Sequence, residues 1–371
     1  MKIRTVQAYI KKEFTELVRT KLIYLVYLIP TMILILFGYG IRLEVTHARV
    51  LLIDNDASKL SAELIGKFEH SKYFTPTLSH MSEQKALRLM KQAKIDAIVI
   101  IPSSFEKRLL HGQISEMGIF VDGSFPMRAL TIQSYLEGTI LKAAQDIGAR
   151  MGLKPKIAIN QRTLFNQAMR DEDAIVPGLI GLVLLVAPAL LSALLIVKEK
   201  EKGTIFNFYA SPLSKSEFLA AKLIPVFLLH SINIFVLFIL ALYIFEVPFR
   251  GSFFLYWVAS ELYVLISLSI GLLISIITKR QIVAVVLTVI VTVIPGFLYS
   301  GILMPISSMK GESYIEAHLF PVMYYNHIIY DTFLIGQGFA SQKNILYLAI
   351  LVGFFLLYFL IGTLLLKKEM R

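Results

Sequence analysis

The side chains equipped for chemistry in this chain are few, and most of them interrupt long apolar runs. Ser192, His230, Asn233, Glu261, Ser267, Ser269, Thr288 and Thr292 all sit among Leu, Ile, Val and Phe. When such a run crosses a bilayer, an ionisable or amide group inside it marks a functional position, because charge is costly there. Glu261 lies about 10 Å from one end of its run at the helical rise of 1.5 Å per residue, a depth that suits cation recognition or pairing with a neighbouring helix equally. His230 and Asn233, three positions apart on one helix face, read as donors and acceptors for interhelical hydrogen bonds. Asp54 and Asp56, which end the strand-like run Arg49-Val-Leu-Leu-Ile-Asp54, offer either a metal or sugar-nucleotide site or caps for the helix that follows; capping is the preferred reading. His-Glu-x-x-His and Gly-x-Ser-x-Gly are absent, as are paired carboxylates at the ends of the apolar runs, so no catalytic residue is predicted. The absence of cysteine removes thiol nucleophiles, Cys-ligated zinc and iron–sulfur clusters, and no metal ligand set is expected.

The elements that position these groups are membrane helices. A chain with 56% hydrophobic residues and a mean hydropathy of +0.68 is too apolar for a soluble fold of this length. Runs of about 20 apolar residues match the hydrocarbon core of a bilayer. They place spans at Leu22 to Ile41, Ile175 to Val197, Leu223 to Phe245, Phe254 to Ile277, Ile282 to Leu303 and Ile345 to Leu366. Lys2, Arg4, Lys11, Lys12, Arg19 and Lys21 precede the first span, and Lys198, Lys200, Lys202, Lys215 and Lys222 follow the second. Lys279, Arg280, Lys367, Lys368 and Arg371 fall on the same side, whereas the opposite short loops hold only Arg250, Lys310 and Lys343. The positive-inside rule then puts both termini in the cytoplasm and the segment 42–173 outside it. The fold class is therefore a polytopic α-helical membrane protein of six transmembrane helices with an inserted extracytoplasmic α/β domain.

Within residues 1–21, Ile3, Val6, Ile10, Phe14 and Leu17 recur at helical spacing between charged residues, as in a helix lying on the membrane surface. The apolar run that follows lacks a small-x-small cleavage site, and no cleavage is expected. In 42–173, strands are expected at Arg49 to Asp54, Ala97 to Ile101 and Met117 to Val121. Helices are expected from near Ser58, at Ser82 to Gln92, at Ser103 to His111 and at Met127 to Met151. Asn160 to Asp173 is the polar return to the membrane.

The sharpest motif follows the second span: Lys198-Glu-Lys-Glu-Lys-Gly203-Thr204-Ile-Phe206-Asn-Phe208-Tyr209-Ala-Ser211-Pro212, then Glu217 and Lys222. Thr204 can cap a short amphipathic helix with an aromatic face of Phe206, Phe208 and Tyr209; Pro212 stops it and Ser216 starts the next. Three aromatics beside a charge cluster indicate a partner surface rather than a solvated loop.

This pattern, Glu-x-Glu-x-Gly-Thr followed by Ser-Pro and Glu-x-x-x-x-Lys, resembles the permease subunits of ATP-binding-cassette transporters of the type 2 class. The residues are Glu199, Glu201, Gly203, Thr204, Ser211, Pro212, Glu217 and Lys222. Phe206 stands where many members carry Glu, and Ile205 to Tyr209 looks like the branch with a large exterior domain, which is drug-exporter-like. Lys12-Glu13-Phe14 with Leu17, Arg19 and Pro30, and Pro295 to Pro305 with Pro321 and Tyr325, extend the likeness to both ends. The resemblance implies an exporter permease of a bacterial cytoplasmic membrane, working as a homodimer or with a related permease. The substrate would be amphipathic. A separate cytoplasmic ATPase, carrying ATP and Mg, would dock on a coupling helix at 198–217. This chain has no Gly-x-x-x-x-Gly-Lys-Ser/Thr phosphate loop, so no cofactor is expected on it. The resemblance further implies a re-entrant hairpin at 299–325, with Pro295 and Gly296 breaking the preceding helix. Tyr299, Gly301, Met304, Pro305, Pro321, Tyr324 and Tyr325 would form an exterior gate, and Glu261, His230 and Asn233 would be candidates for the translocation path. A periplasmic adaptor is a further candidate partner; nucleic acid is not. The alternative reading is a membrane sensor whose exterior α/β domain binds a ligand.

Overall fold

The structure, a computed structural model, describes residues 2–19, 22–42, 45–150, 165–166, 170–211, 213–302 and 306–366. In chain order the elements are α1 Lys2–Arg19, α2 Leu22–Gly40, β1 Ala48–Asp54, α3 Lys59–Glu69, β2 Phe74–Leu78, α4 Glu83–Lys91, β3 Ala97–Ile101, α5 Phe105–Leu110, β4 Gly118–Val121, α6 Pro126–Arg150, α7 Asp171–Lys202, α8 Ile205–Tyr209, α9 Lys215–Tyr243, α10 Phe253–Ile277, α11 Gln281–Leu298, α12 Glu312–Leu319, α13 Pro321–Tyr330 and α14 Gln342–Leu365. Pro212, Leu303, Met304, Pro305, Met151 and most of the 160–173 return lie outside the described residues, as do Lys21, Lys367, Lys368 and Arg371. The chain divides into two compact units, Met1–Ile41 with Thr163–Arg371, and Arg42–Arg162.

Among the described residues five helices are long and apolar enough to cross a membrane: α7, α9, α10, α11 and α14. The first predicted span is α2, apolar over Val26–Gly40, a described stretch shorter than a crossing. The predicted fifth span ends early: α11 stops at Leu298, three residues past Pro295, whose ring removes a backbone donor. At the opposite end the third span starts early, because Ser214 and Glu217 form a capping box that launches α9 at Lys215.

Helix α7 is the centre of this unit, with 78% of its most apolar window buried against 11% for α14. Its contacts are close because glycines lie at them: a Cβ on Gly271 of α10 would collide with Ser192 Oγ of α7, and one on Gly181 of α7 would collide with Asn326 Oδ1 of α13. Ser192 and Ser267 hydroxyls donate across the α7–α10 contact to the carbonyls of Leu268 and Leu185, at 3.0 and 2.5 Å. Helix α11 turns Ala284, Thr288, Thr292 and Gly296 inward and leaves Ile282, Val286, Ile290 and Ile294 exposed, the apolar dress of a helix facing lipid.

The unit Arg42–Arg162 is a four-stranded sheet of order β2-β1-β3-β4, with β1 parallel to β2 and β3, and β4 antiparallel to β3. Alternate β1 and β3 residues feed two cores: Val50, Leu52, Val99 and Ile101 pack with Leu64, Phe68 and Leu136, while Leu51, Ile53 and Ile98 pack with Ala86 and Ile95. A sheet covered on both faces explains the unbroken apolar run in β1. Strand β2 was not expected, because Phe74-Thr-Pro-Thr-Leu78 carries Pro76 and buries only Phe74, as an edge strand permits. The expected capping by Asp54 and Asp56 is also corrected. Ser58 and Ser61 cap α3 reciprocally; Asp54 holds the preceding turn and the Ser61 hydroxyl (2.7 Å), and Asp56 accepts from the backbone N–H of Glu106 at the start of α5 (3.0 Å).

Candidate functional site

The charged run at the end of α7 resolves into four separate attachments, one for each consecutive residue. Lys198 donates to Glu16 of α1 at 2.8 Å, and that hydrogen bond holds the Glu16 carboxyl below the ordinary carboxylate range. Glu199 accepts from Lys222 of α9 at 2.6 Å. Lys200 reaches the C-terminal carbonyls of α10, donating to Ser275, Ile276 and Thr278. Glu201 accepts from the backbone and side-chain nitrogens of Gln281 at 2.9 and 3.0 Å, placing a carboxylate on the N-terminus of α11. A cation on a helix C-terminus and an anion on the next helix N-terminus both oppose the helix dipoles favourably. One turn of α7 therefore grips α1, α9, α10 and α11.

The core of the junction is ionic. The Lys222 side chain is 3% exposed and its Nζ also lies 2.8 Å from Oε1 of Glu13, whose side chain is 1% exposed. That second contact is an ion pair without hydrogen-bond alignment. One buried ammonium is thus shared by a buried carboxylate of α1 and a half-buried one of α7. Tyr9, Glu13, Glu16, Glu199, Lys222, Thr204 and Phe208 line a cavity of about 230 Å³ beside it. The face of α1 that packs inward thus carries Glu13 and Leu17, while Phe14, expected on it, is exposed.

Past the junction Gly203 ends α7 in the left-handed region (φ +74), where a side chain would be strained, and the chain turns into α8. Thr204 does not cap α8: its hydroxyl reaches only the Glu199 carbonyl, at 3.5 Å, because its backbone stays in the right-handed helical region. The three aromatics do not share an outer face. Phe208 is buried and stacks on Phe218 (3.9 Å between centroids, 19°), Tyr209 is half-buried, and Phe206 is 51% exposed. Ile205 and Phe208, one turn apart, face inward, so in a five-residue helix only one aromatic is left outside. Ser211 donates to the Phe208 carbonyl at 2.8 Å, closing the turn. Ser214, rather than Ser216, caps α9.

The intramembrane candidates separate. Glu261 accepts from Ser231 of α9 (2.7 Å) and from Trp257 Nε1 (2.9 Å), which satisfies both its oxygens locally. The expected interhelical hydrogen bonds of His230 and Asn233 are not formed: both residues are fully buried, and none of their four side-chain nitrogen and oxygen atoms has a partner among the described residues. Tyr325 is fully buried, stacked on Tyr263 (4.0 Å, 6°) and hydrogen-bonded to Ser260 (2.7 Å). Pro321 starts α13, Gly301 has φ +83, and Tyr299 stacks on Phe320 and bonds to Glu316. A separate, wholly apolar cleft of about 230 Å³ lies between α2, α7 and α11, lined by Pro30, Ile33, Phe37, Leu182, Val186, Leu190, Val293 and Phe297. Glu261, His230 and Asn233 do not line it. Sequence reasoning missed the Glu13–Lys222–Glu199 trio. The only signal for it was an acid on the apolar face of α1.

Residues 21–364 match the family model described as ABC-2 family transporter protein. The chain is 29% identical over 340 residues to "Probable multidrug ABC transporter permease YbhS" of Escherichia coli (strain K12), covering 90% of this chain and 89% of that one. "Probable multidrug ABC transporter permease YbhR" of the same strain is 26% identical over 304 residues, 81% of this chain and 82% of that one. "Inner membrane transport permease YhhJ", also of that strain, is 22% identical over 270 residues, 71% and 70% of the two chains.

Proposed function

The chain belongs to the ABC-2 transporter family as a type 2 permease, and from that premise we propose that it is the membrane subunit of an ATP-driven exporter, coupled to a separate cytoplasmic ATPase through α8 and the end of α7. The observation that carries the coupling reading is the four-way attachment of residues 198–201. A push on α8 is transmitted to α9 through Phe208 and Phe218 and to α7 through Gly203, and α7 is tied there to α1, α9, α10 and α11 at once. Exposed Phe206 is the apolar contact left for the ATPase, and the buried Phe208 anchors α8 rigidly to α9.

The remaining parts follow from the same premise. Helix α2 is the sixth span, both termini are cytoplasmic by the distribution of lysine and arginine, and the sheet-containing unit lies outside the cytoplasm, where it caps the exit or docks an adaptor. Two permease copies, identical or related, enclose the path. The apolar cleft between α2, α7 and α11 favours an amphipathic substrate drawn from the inner leaflet or cytoplasm, in keeping with the multidrug relatives. ATP and Mg reside on the partner, which performs the hydrolysis.

The test is co-purification with a co-expressed ABC ATPase of the same system. Wild type is expected to retain the ATPase; Phe206→Asp and Gly203→Pro are expected to lose it while the permease stays folded in the membrane. Retention by both variants would remove α8 as the docking element.

A further inference from the structure

At the end of the helical unit opposite the junction, Ser300, Gly301 and Ile306 after α11, the helices α12 and α13 and the first two turns of α14 line an open cavity of about 440 Å³, with Tyr314 and Lys343 exposed at its rim. Its chemistry differs from that of the apolar cleft. Tyr314, Tyr330 and Tyr347 supply rings, Tyr314 and Tyr347 hydroxyls, and His327 and Lys343 nitrogen donors, with His318 in the wall.

Two of the polar groups are committed to the wall, and the others face the cavity. The His318 ring lies 4.3 Å from that of Tyr314 and its Nδ1 donates to the Tyr314 carbonyl (2.7 Å), so that this ring shapes the wall rather than donating into the cavity. His327 packs edge-on against Tyr347 (4.8 Å, 75°). Tyr330 is anchored through its hydroxyl to the Ala174 carbonyl of α7 (2.7 Å), which fixes that wall to the central helix. Lys343 has no carboxylate within ion-pair distance among the described residues. Of the acids close in sequence, Glu316 takes the Tyr299 hydroxyl, buried Asp331 accepts from Gly338 N–H (2.8 Å) and Asn344 Nδ2 (2.7 Å), and exposed Glu312 does not line the cavity. A cavity rich in donors, carrying one ammonium and lined by no carboxylate, is suited to an anion.

Its surroundings specify the rest of the ligand. Ile315 and Leu319, next to Tyr314 and His318, are each 63% exposed, and Ile345 and Leu346, beside Lys343 and Tyr347, are similarly bare. In a membrane protein such faces meet acyl chains, and an ammonium beside hydroxyl and imidazole donors at the edge of such a face offers charge-assisted hydrogen bonds to a phosphate head group. We propose that this cavity binds a phosphate-bearing head group, with the apolar tail of the ligand lying along α12 and α14. The site involves no ATPase contact, so it stands or falls separately from the coupling reading.

The test uses the full chain in detergent, exchanged into nanodiscs of phosphatidylglycerol or phosphatidylcholine, with native mass spectrometry counting retained lipid. Wild type is expected to keep phosphatidylglycerol and release phosphatidylcholine. Lys343→Glu is expected to bind phosphatidylglycerol at least about tenfold more weakly, with His327→Leu showing a smaller loss. Lys310→Glu, at an exposed lysine that does not line the cavity, is expected to match wild type. A titration of inorganic phosphate identifies the source: displacement of the lipid shows that the head group alone is recognised, and failure to displace it shows that the tail is required. Equal retention of phosphatidylglycerol by wild type and Lys343→Glu, or equal retention of both lipids by wild type, would overturn the assignment.

Discussion

Replacing Lys222 by alanine removes the buried cation that bridges Glu13 and Glu199, whose side chains are 1% and 15% exposed, and leaves Glu13 only the exposed Lys12 at 4.0 Å. Burying an uncompensated charge by breaking such a pair costs about 3–5 kcal/mol, and here two carboxylates are left facing each other. Because Glu13 belongs to α1, the expected consequence is that α1 detaches from α9 while the bundle around α7 persists. At about 1.4 kcal/mol per factor of ten, the open population rises by roughly two to three and a half orders of magnitude. The chain has no cysteine, so Leu17→Cys, at a position 1% exposed, becomes a specific reporter of that opening. When opening is fast, maleimide labelling tracks the open population, and the Lys222→Ala background is expected to label faster by that factor. Replacing the whole group, as Glu13→Leu with Lys222→Met and Glu199→Leu, is expected to restore protection, since apolar substitution of a complete buried ionic cluster is close to neutral. Labelling of Lys222→Ala at the wild-type rate would refute the reasoning.

The other expectations concern separate parts of the chain. Ser214→Ala removes a capping box and is expected to cost about 1 kcal/mol in thermal unfolding, whereas Thr204→Ala, which loses only a 3.5 Å contact, should change the midpoint little. Phe208→Ala empties a buried stack and is expected to cost about 3–5 kcal/mol, while Phe206→Asp leaves the midpoint unchanged; equal effects would mean α8 is placed wrongly. His230→Leu removes a buried donor and acceptor without partners and is expected to raise the midpoint, by about 1–3 kcal/mol in stability; a lower midpoint would show that His230 is satisfied in the folded protein. Burial pushes the Asp96 carboxyl up, but hydrogen bonds from the Arg49 side chain and backbone, with the charges of Arg49 and Arg128, outweigh it and hold the group below the usual carboxylate range. Its folded value is thus below its unfolded one, so it stabilises the sheet unit above about pH 4 and that contribution is lost as pH falls through the folded value. Hydrogen exchange of β1 and β3 in the full chain between pH 6 and pH 3 should show the loss, and Asp96→Asn should flatten it.

The spans and the sheet unit were legible because burial writes itself into composition. Apolar runs of crossing length became α7, α9, α10, α11 and α14, and β1 and β3 are unbroken apolar runs because both faces of the sheet are covered. Strand β2 was illegible for the opposite reason: an edge strand with Pro76 and one buried side chain has little apolar signature. At the junction, the Lys-Glu-Lys-Glu run announced itself, but its wiring did not. Four adjacent residues of a helix point in four directions, and their partners are in α1, α9, α10 and α11, far away in sequence. Glu13, three residues after Ile10, was legible only as part of the Lys12-Glu13-Phe14 likeness, because only the packing of α1 on α9 brings Lys222 to it. The three aromatics of α8 were read as one face because spacing within five residues does not reveal which side the neighbouring helix takes.

The most direct measurement of the central claim is the distance between copies of the junction under the control of nucleotide. Lys202→Cys, exposed and just ahead of Gly203, takes a spin label without competing thiols in the chain. Double electron–electron resonance is then recorded on the permease with its ATPase bound. The account predicts a shorter label-to-label distance with ATP held unhydrolysed than without nucleotide, and no change when the ATPase is omitted. Identical distance distributions with and without ATP, while the bound ATPase turns over, would contradict it.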